Sequence, residues 1–205
     1  MTDLNQDTPE TNMRRAFLTR LTAAGLGAVA LGLTATAGAA TQPHQPEADT
    51  GHDYPMPAPH AMTAKQFYMG VLPIAVLSRA ASGLAVDKAT DPATKEFANF
   101  ELREAISVVA VLKEMGTPTP PMDAHAKATL ATLKSSEGAA FDKAYITAEL
   151  GAHEFLRDLS ETYLKNSAGH PGMAEMHGRH VSMLALAMFK EHIVHCKNIK
   201  AALQA

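Results

Sequence analysis

A single cysteine, Cys196, is all the thiol chemistry this 205-residue chain has, which excludes an internal disulfide. That leaves Cys196 as a buried core residue, a metal ligand or one half of an intermolecular link. Positive charge is scarce as well: 18 Lys and Arg stand against 21 Asp and Glu, for a net charge of −3. The basic residues are scattered among acids. Nucleic acid is excluded as a partner, because holding a polyanion takes a clustered basic surface that releases counterions. The chain has no glycine-rich phosphate loop, and neither Ser160 nor Ser167 has partners for a triad, so nothing supports nucleophilic catalysis. No stretch alternates polar and apolar residues over the length of a strand.

What is present begins with an address. Arg14-Arg15-Ala16-Phe17-Leu18, the uncharged run from Leu21 to Leu33 and the small residues Ala37-Gly38-Ala39 resemble a twin-arginine export signal. Cleavage would fall after Ala39. Met13 and Thr19 depart from the usual pattern, which has Ser or Thr before the arginines and Lys after the Phe-Leu. The alternative is an uncleaved anchor: the stretch from Leu21 approaches the ~20 residues that span a bilayer, although its Gly and Ala content suits it poorly. Residues 1–39 are thus expected to be a signal peptide that engages the export machinery, and the mature protein to be periplasmic. That route carries folded proteins, often around a metal or cofactor.

Residues 40–62 hold Pro43, Pro46, Pro55, Pro57 and Pro59 and almost no large aliphatic side chain. Such a segment buries too little apolar surface to offset chain ordering and reads as a tether. Its His44, His52, His60, Met56 and Met62 are ligand types for copper, and the histidines for zinc or nickel as well.

Residues 63–205 read as one all-α domain. Phe67, Val71, Ile74, Ser78, Ala81 and Ala85 recur at helical spacing, with a kink expected at Pro73. A second helix presents Phe97, Glu101, Glu104, Val108, Val111, Leu112 and Met115, and ends at Gly116 and the prolines that follow. A short helix from Ala124 to Leu133 comes next, then a long one capped by Ser135 or Ser136 that carries Phe141, Tyr145, Ala152, Leu156 and Tyr163. The last opens at Pro171-Gly172 and faces inward with Met183, Leu186, Phe189, Ile193 and Cys196. Four long amphipathic helices and an extra short one between the second and third predict an antiparallel four-helix bundle.

Inside such a bundle several polar residues stand out. The spacing turns Glu101 and Glu104 inward, and a buried carboxylate needs a cation, a metal or several donors. Glu149 and His153 share a side of the next long helix, and His192 lies near the core face of the last with His195 beside it. Glu101, Glu104, Glu149, His153, His192 and His195 are therefore candidate ligands for a transition metal ion, iron, copper or zinc. Each also has an ordinary reading, Glu104 paired to Arg103 or Arg79 among them. A second cluster, Met173, Met176, His177, His180 and Met183, lines thioethers and imidazoles along one strip, which suits Cu(I) or serves as flexible core filler.

Phe67 to Ala85, Asp91-Pro92-Ala93-Thr94-Lys95-Glu96-Phe97-Ala98, Ala140-Phe141-Asp142-Lys143-Ala144-Tyr145 through His153, and Glu191-His192 resemble the bacterial family labelled domain of unknown function 4142. The resemblance implies an exported, ferritin-like helical bundle and no particular reaction. It matches Glu104, His153 and His192 to polar positions of the family, while Ser78 stands where a Glu is usual and Ala105 where a His is usual. A dinuclear ferritin-type site is disfavoured, which leaves a mononuclear site or none. The expectation is a non-enzymatic bundle that binds a transition metal in envelope stress or metal handling. A metal-dependent oxidoreductase and a metal-free scaffold are the alternatives. Protein partner and oligomeric state are not legible.

Overall fold

The structure, a computed structural model, describes residues 61–204. The expected signal peptide and the tether residues up to His60 lie outside them. The described residues contain five α-helices and no strand: α1 Ala64–Lys88, α2 Pro92–Glu114, α3 Ala124–Ser135, α4 Gly138–Asn166 and α5 Met173–Ala202. They form a helical bundle in which α4 packs most extensively on α5, and α1 on α2.

Local chemistry sets the boundaries. Thr63 and Gln66 make a reciprocal capping box at the start of α1. Asp91 accepts the Thr94 backbone N–H at 2.7 Å with Pro92 at the first helical position of α2, and Asp123 does the same for Ala126 in α3. Gly116, at φ 77°, closes α2 in a conformation that costs glycine nothing. Pro73 lies within a helix that continues past it. The expected cap of the long α4 is corrected: Ser136 ends α3, and α4 starts from Glu137 without a side-chain cap. Ser136 Oγ instead donates to the Thr132 carbonyl one turn back.

Two inward faces also differ from the pattern. On α2, Ala98, Ala105 and Val109 are buried, while Val111 and Met115 are exposed. The run Val108-Val109-Ala110-Val111-Leu112 is apolar all round, so its periodicity alone does not select a face. On α5, Met183 is exposed and Ser182 takes the buried position. At the other edge of the domain Ala61 is 1% exposed and accepts a hydrogen bond from Asn166 Nδ2, so packing begins at least that early.

Buried polar anchors fix the ends. Asp142 accepts the backbone N–H groups of Thr90 and Asp91 at 3.1 and 3.0 Å, tying the α1–α2 turn to α4, while its neighbours Phe141 and Tyr145 stack in the core. At the opposite end Glu175 accepts from the Ala64 N–H and the Tyr163 hydroxyl.

The core is two apolar clusters. One holds Phe67, Leu72, Val109, Leu112, Leu159, Tyr163 and Phe189, and the other Ala85, Phe97, Phe141, Tyr145, Ile193 and Cys196. Between them in all four long helices lies a polar layer: Ser78, Glu101, Glu149, His153 and His192.

Candidate metal centre

Each long helix contributes to that layer at one level. Ser78 comes from α1, Glu101 and Glu104 from α2, Glu149 and His153 from α4, and His192 from α5. All but Glu104 are at least nine-tenths buried. Glu149 and His153, four apart, occupy one face of α4, so the ring stacks back over the preceding turn and His153 Nδ1 reaches the Glu149 carbonyl at 2.7 Å. A carbonyl only accepts, so Nδ1 carries the proton and Nε2 points into the bundle.

His192 is held in the same sense. Its outer nitrogen, Nε2, lies 3.1 Å from Glu104 Oε2, which favours a proton there. Its inner nitrogen, Nδ1, lies 3.0 Å from His153 Nε2 and 3.0 Å from Glu101 Oε2. The third side of the triangle, His153 Nε2 to Glu101 Oε2, is 3.3 Å. Glu101 Oε2 is fully buried with no aligned hydrogen bond. Three lone-pair atoms, two imidazole nitrogens and a carboxylate oxygen, therefore converge on one point.

Those edges match the spacing of ligands around one ion. Metal–ligand bonds of ~2.0–2.1 Å set tetrahedral ligand separations of roughly 3.3 Å and octahedral neighbours at roughly 3.0 Å. The donor set, two histidines and one carboxylate, is that of non-haem iron(II) and of zinc sites with an open position. The outer contacts are those that tune such ligands: a backbone carbonyl on His153 and a carboxylate on His192. Beside the triad is a cavity of ≈ 30 Å³, walled by Val71, Ile74, Val108, Leu156, Met188 and Phe189, about the volume of one water molecule.

Without an ion the layer must be held by protons. Burial works against a charged His192, but Glu101 and Glu104 outweigh it and lift its pKa to about 10. Burial likewise opposes charge on His153, and Glu101 again reverses the sign, leaving it above the ordinary histidine value. Only one proton fits between two nitrogens 3.0 Å apart, so the pair shares one positive charge. Burial would raise the Glu101 pKa, but the imidazoles and the Ser78 hydroxyl hold it well below the usual carboxylate range. Glu149 goes the other way: burial, and then the charge of Glu101, push it up to about 8. Ser78 Oγ lies 2.6 Å from Glu101 Oε1 and 2.9 Å from Glu149 Oε2. One hydroxyl has one proton to give, and a protonated Glu149 supplies the second.

Of the six candidates from the sequence, the structure brings Glu101, His153 and His192 into the triad and places Glu104 and Glu149 against its outer side. Glu104 meets His192 and not an arginine. His195 lies elsewhere, 59% exposed and 3.8 Å from Glu191. Ser78 stood on the predicted inner face, yet its bridging role between two carboxylates was not apparent from spacing. Ala105 and Ser78, the two departures from the family pattern, both line the cavity. Cys196 is buried, free and outside the triad.

Fold and site together define an all-helical bundle with a buried histidine–carboxylate cluster able to hold one metal ion. Over residues 53–198, more than half of its length, the chain matches the family described as a domain of unknown function (DUF4142), and it belongs to that family. No curated protein and no solved structure matches it.

Proposed function

We propose that this protein is an exported, ferritin-like bundle that binds one divalent transition-metal ion, iron(II) or zinc, through Glu101, His153 and His192, in metal handling within the periplasm. The observation that carries the reading is the convergence of His153 Nε2, His192 Nδ1 and Glu101 Oε2 with both outer ring nitrogens already engaged. A carboxylate among the donors disfavours Cu(I) at this site. The ferritin-like arrangement is supported by the core clusters. The first half of α1 shares one cluster with the second halves of α2 and α4, and the remaining halves share the other. That pattern runs α1 antiparallel to α2 and, with the part of α5 up to Phe189 in the first cluster and Ile193 to Ile199 in the second, α4 antiparallel to α5; the connection containing α3 brings α4 in beside α1, parallel to α2. Export rests on Arg14-Arg15 and the run that follows.

Elemental analysis of untagged protein purified from the periplasm tests this, together with melting with and without a chelator. Expected are about one bound ion per chain and a chelator-dependent fall in Tm that Glu101→Gln removes. Absence of both would leave the scaffold reading. Open coordination positions beside the small cavity favour a metal-dependent oxidoreductase as a second reading, which turnover of peroxide or oxygen by the iron-loaded protein would separate from storage or transfer.

A further inference from the structure

The strip Met173, Met176, His177, His180 and Met183 has no part in the buried centre. Sequence spacing left it two meanings, soft-metal ligands or core filler, and the structure turns Met173, His177, His180 and Met183 to solvent, with Met176 half-buried between them. Core contacts of α5 run through Gly178, Ser182, Phe189, Ile193 and Cys196. At 100° per residue the strip lies on the opposite side of the helix. Met173 is 65% exposed and Met183 59%, among the most exposed large apolar side chains of the described residues. His177 and His180 are exposed, and no hydrogen bond or ion pair among the described residues holds either ring.

Solvent faces ordinarily carry charged or hydroxylated side chains, and exposing thioethers brings no packing return. The i, i+3, i+4, i+7 spacing of Met173, Met176, His177 and His180 brings neighbouring Cβ atoms within ~5–6 Å over two turns, and Met183 extends the row. All five are uncharged donors. The one carboxylate in the first turn, Glu175, is turned away to the Ala64 N–H and the Tyr163 hydroxyl. Hard divalent ions seek oxygen, whereas a thioether and imidazole set without carboxylate selects a soft monovalent ion.

We propose that this face of α5 is a second metal site, a surface site at which one Cu(I) ion is held by neighbours three and four residues apart, Met176, His177 and His180, with Met173 or Met183 supplying a thioether from the adjoining turn. Because it is exposed, it exchanges its ion with solution and with other copper carriers, unlike the buried centre.

The test is anaerobic titration of the full chain with Cu(I) in competition with a chromophoric cuprous chelator such as bathocuproine disulfonate. Wild type should hold about one equivalent at this face against a chelator concentration that strips the variant Met173→Leu/Met176→Leu/Met183→Leu, since leucine keeps helix and bulk but lacks sulfur. Copper X-ray absorption should show sulfur neighbours in wild type and none in that variant. His177→Asn/His180→Asn should retain sulfur neighbours and lose nitrogen ones. Glu101→Gln should leave Cu(I) retention unchanged, which separates this site from the buried one. Retention of copper and sulfur signal by the triple leucine variant, with its helical circular dichroism intact, would overturn the proposal and move the ligands to the histidines and methionines before residue 63.

Discussion

Glu104 stands outside the triad and still governs it. Its carboxylate keeps the proton of His192 on Nε2, so that Nδ1 turns its lone pair inward. Glu104→Gln should weaken metal affinity roughly 10- to 100-fold without abolishing it. Glu101→Gln, which removes a direct donor, should lose more than that when each variant competes with a chelator for zinc. Lost stability is not the readout for these roles: removing the buried Glu101 charge costs about 3–5 kcal/mol whatever it does for a metal, whereas Glu104, its side chain 35% exposed, is partly screened by solvent. Cys196 makes a different residue-scale prediction. Burial, helped by Glu149 and Glu101, holds its thiol far above the ordinary range, so it should resist a thiol-specific disulfide reagent in the native protein and react fully in guanidinium. Rapid native labelling would show that the helices open there. At this scale the sequence was half legible. Inward spacing picked out Glu101, Glu104, Glu149, His153 and His192, but not which nitrogen of each ring faces in, because tautomers are set by partners on other helices. His195 was included on proximity in sequence, and one residue step on a helix turns a side chain by ~100°.

Among the elements, α5 passes tightly against α1 and α4 at Gly178. A Cβ placed on Gly178 would collide with the Tyr163 hydroxyl and lie 2.5 Å from Ala64 Cβ. Alanine ordinarily favours a helix over glycine by roughly 0.8–1.0 kcal/mol. Here overpacking of a backbone-tight contact, typically about 1–3 kcal/mol, should win. Gly178→Ala is therefore expected to lower Tm, and an unchanged or raised Tm would mean that α5 can shift away from α1. Helix number, order and most ends were legible because capping residues and prolines act locally. The inner face of α2 was not, since an all-apolar run leaves the choice to its neighbours, and here Glu101 and the α4 histidine decide it. Asp142 belongs to the same lesson: its place in the Phe-Asp-x-Ala-Tyr motif marks a polar anchor for the α1–α2 turn, a tertiary contact that local spacing does not reveal.

For the molecule as a whole, the proposed metal uptake should depend on pH. The folded protein without metal holds a proton on the paired imidazoles, with His192 raised to about 10, and an ion must displace it. Apparent affinity should rise with pH, by about tenfold per unit across the neutral range, and level off as pH approaches the raised value. Isothermal titration with zinc in buffers of different ionisation enthalpy would count the proton released, and a flat profile would mean that the ligands are already free. The polar layer has another consequence, for assembly. Long helices with apolar stripes can in general slide past one another by a turn, ~5.4 Å, and still find greasy neighbours. In this chain such a slip would strand a carboxylate and two imidazoles among leucines and valines, where nothing could neutralise them. The layer thus acts as an index pin, penalising misaligned assemblies more than it strengthens the correct one. An all-aliphatic replacement of Ser78, Glu101, Glu149, His153 and His192 should resist heat at least as well as the original, yet give broadened amide resonances from helices that no longer agree on a single alignment.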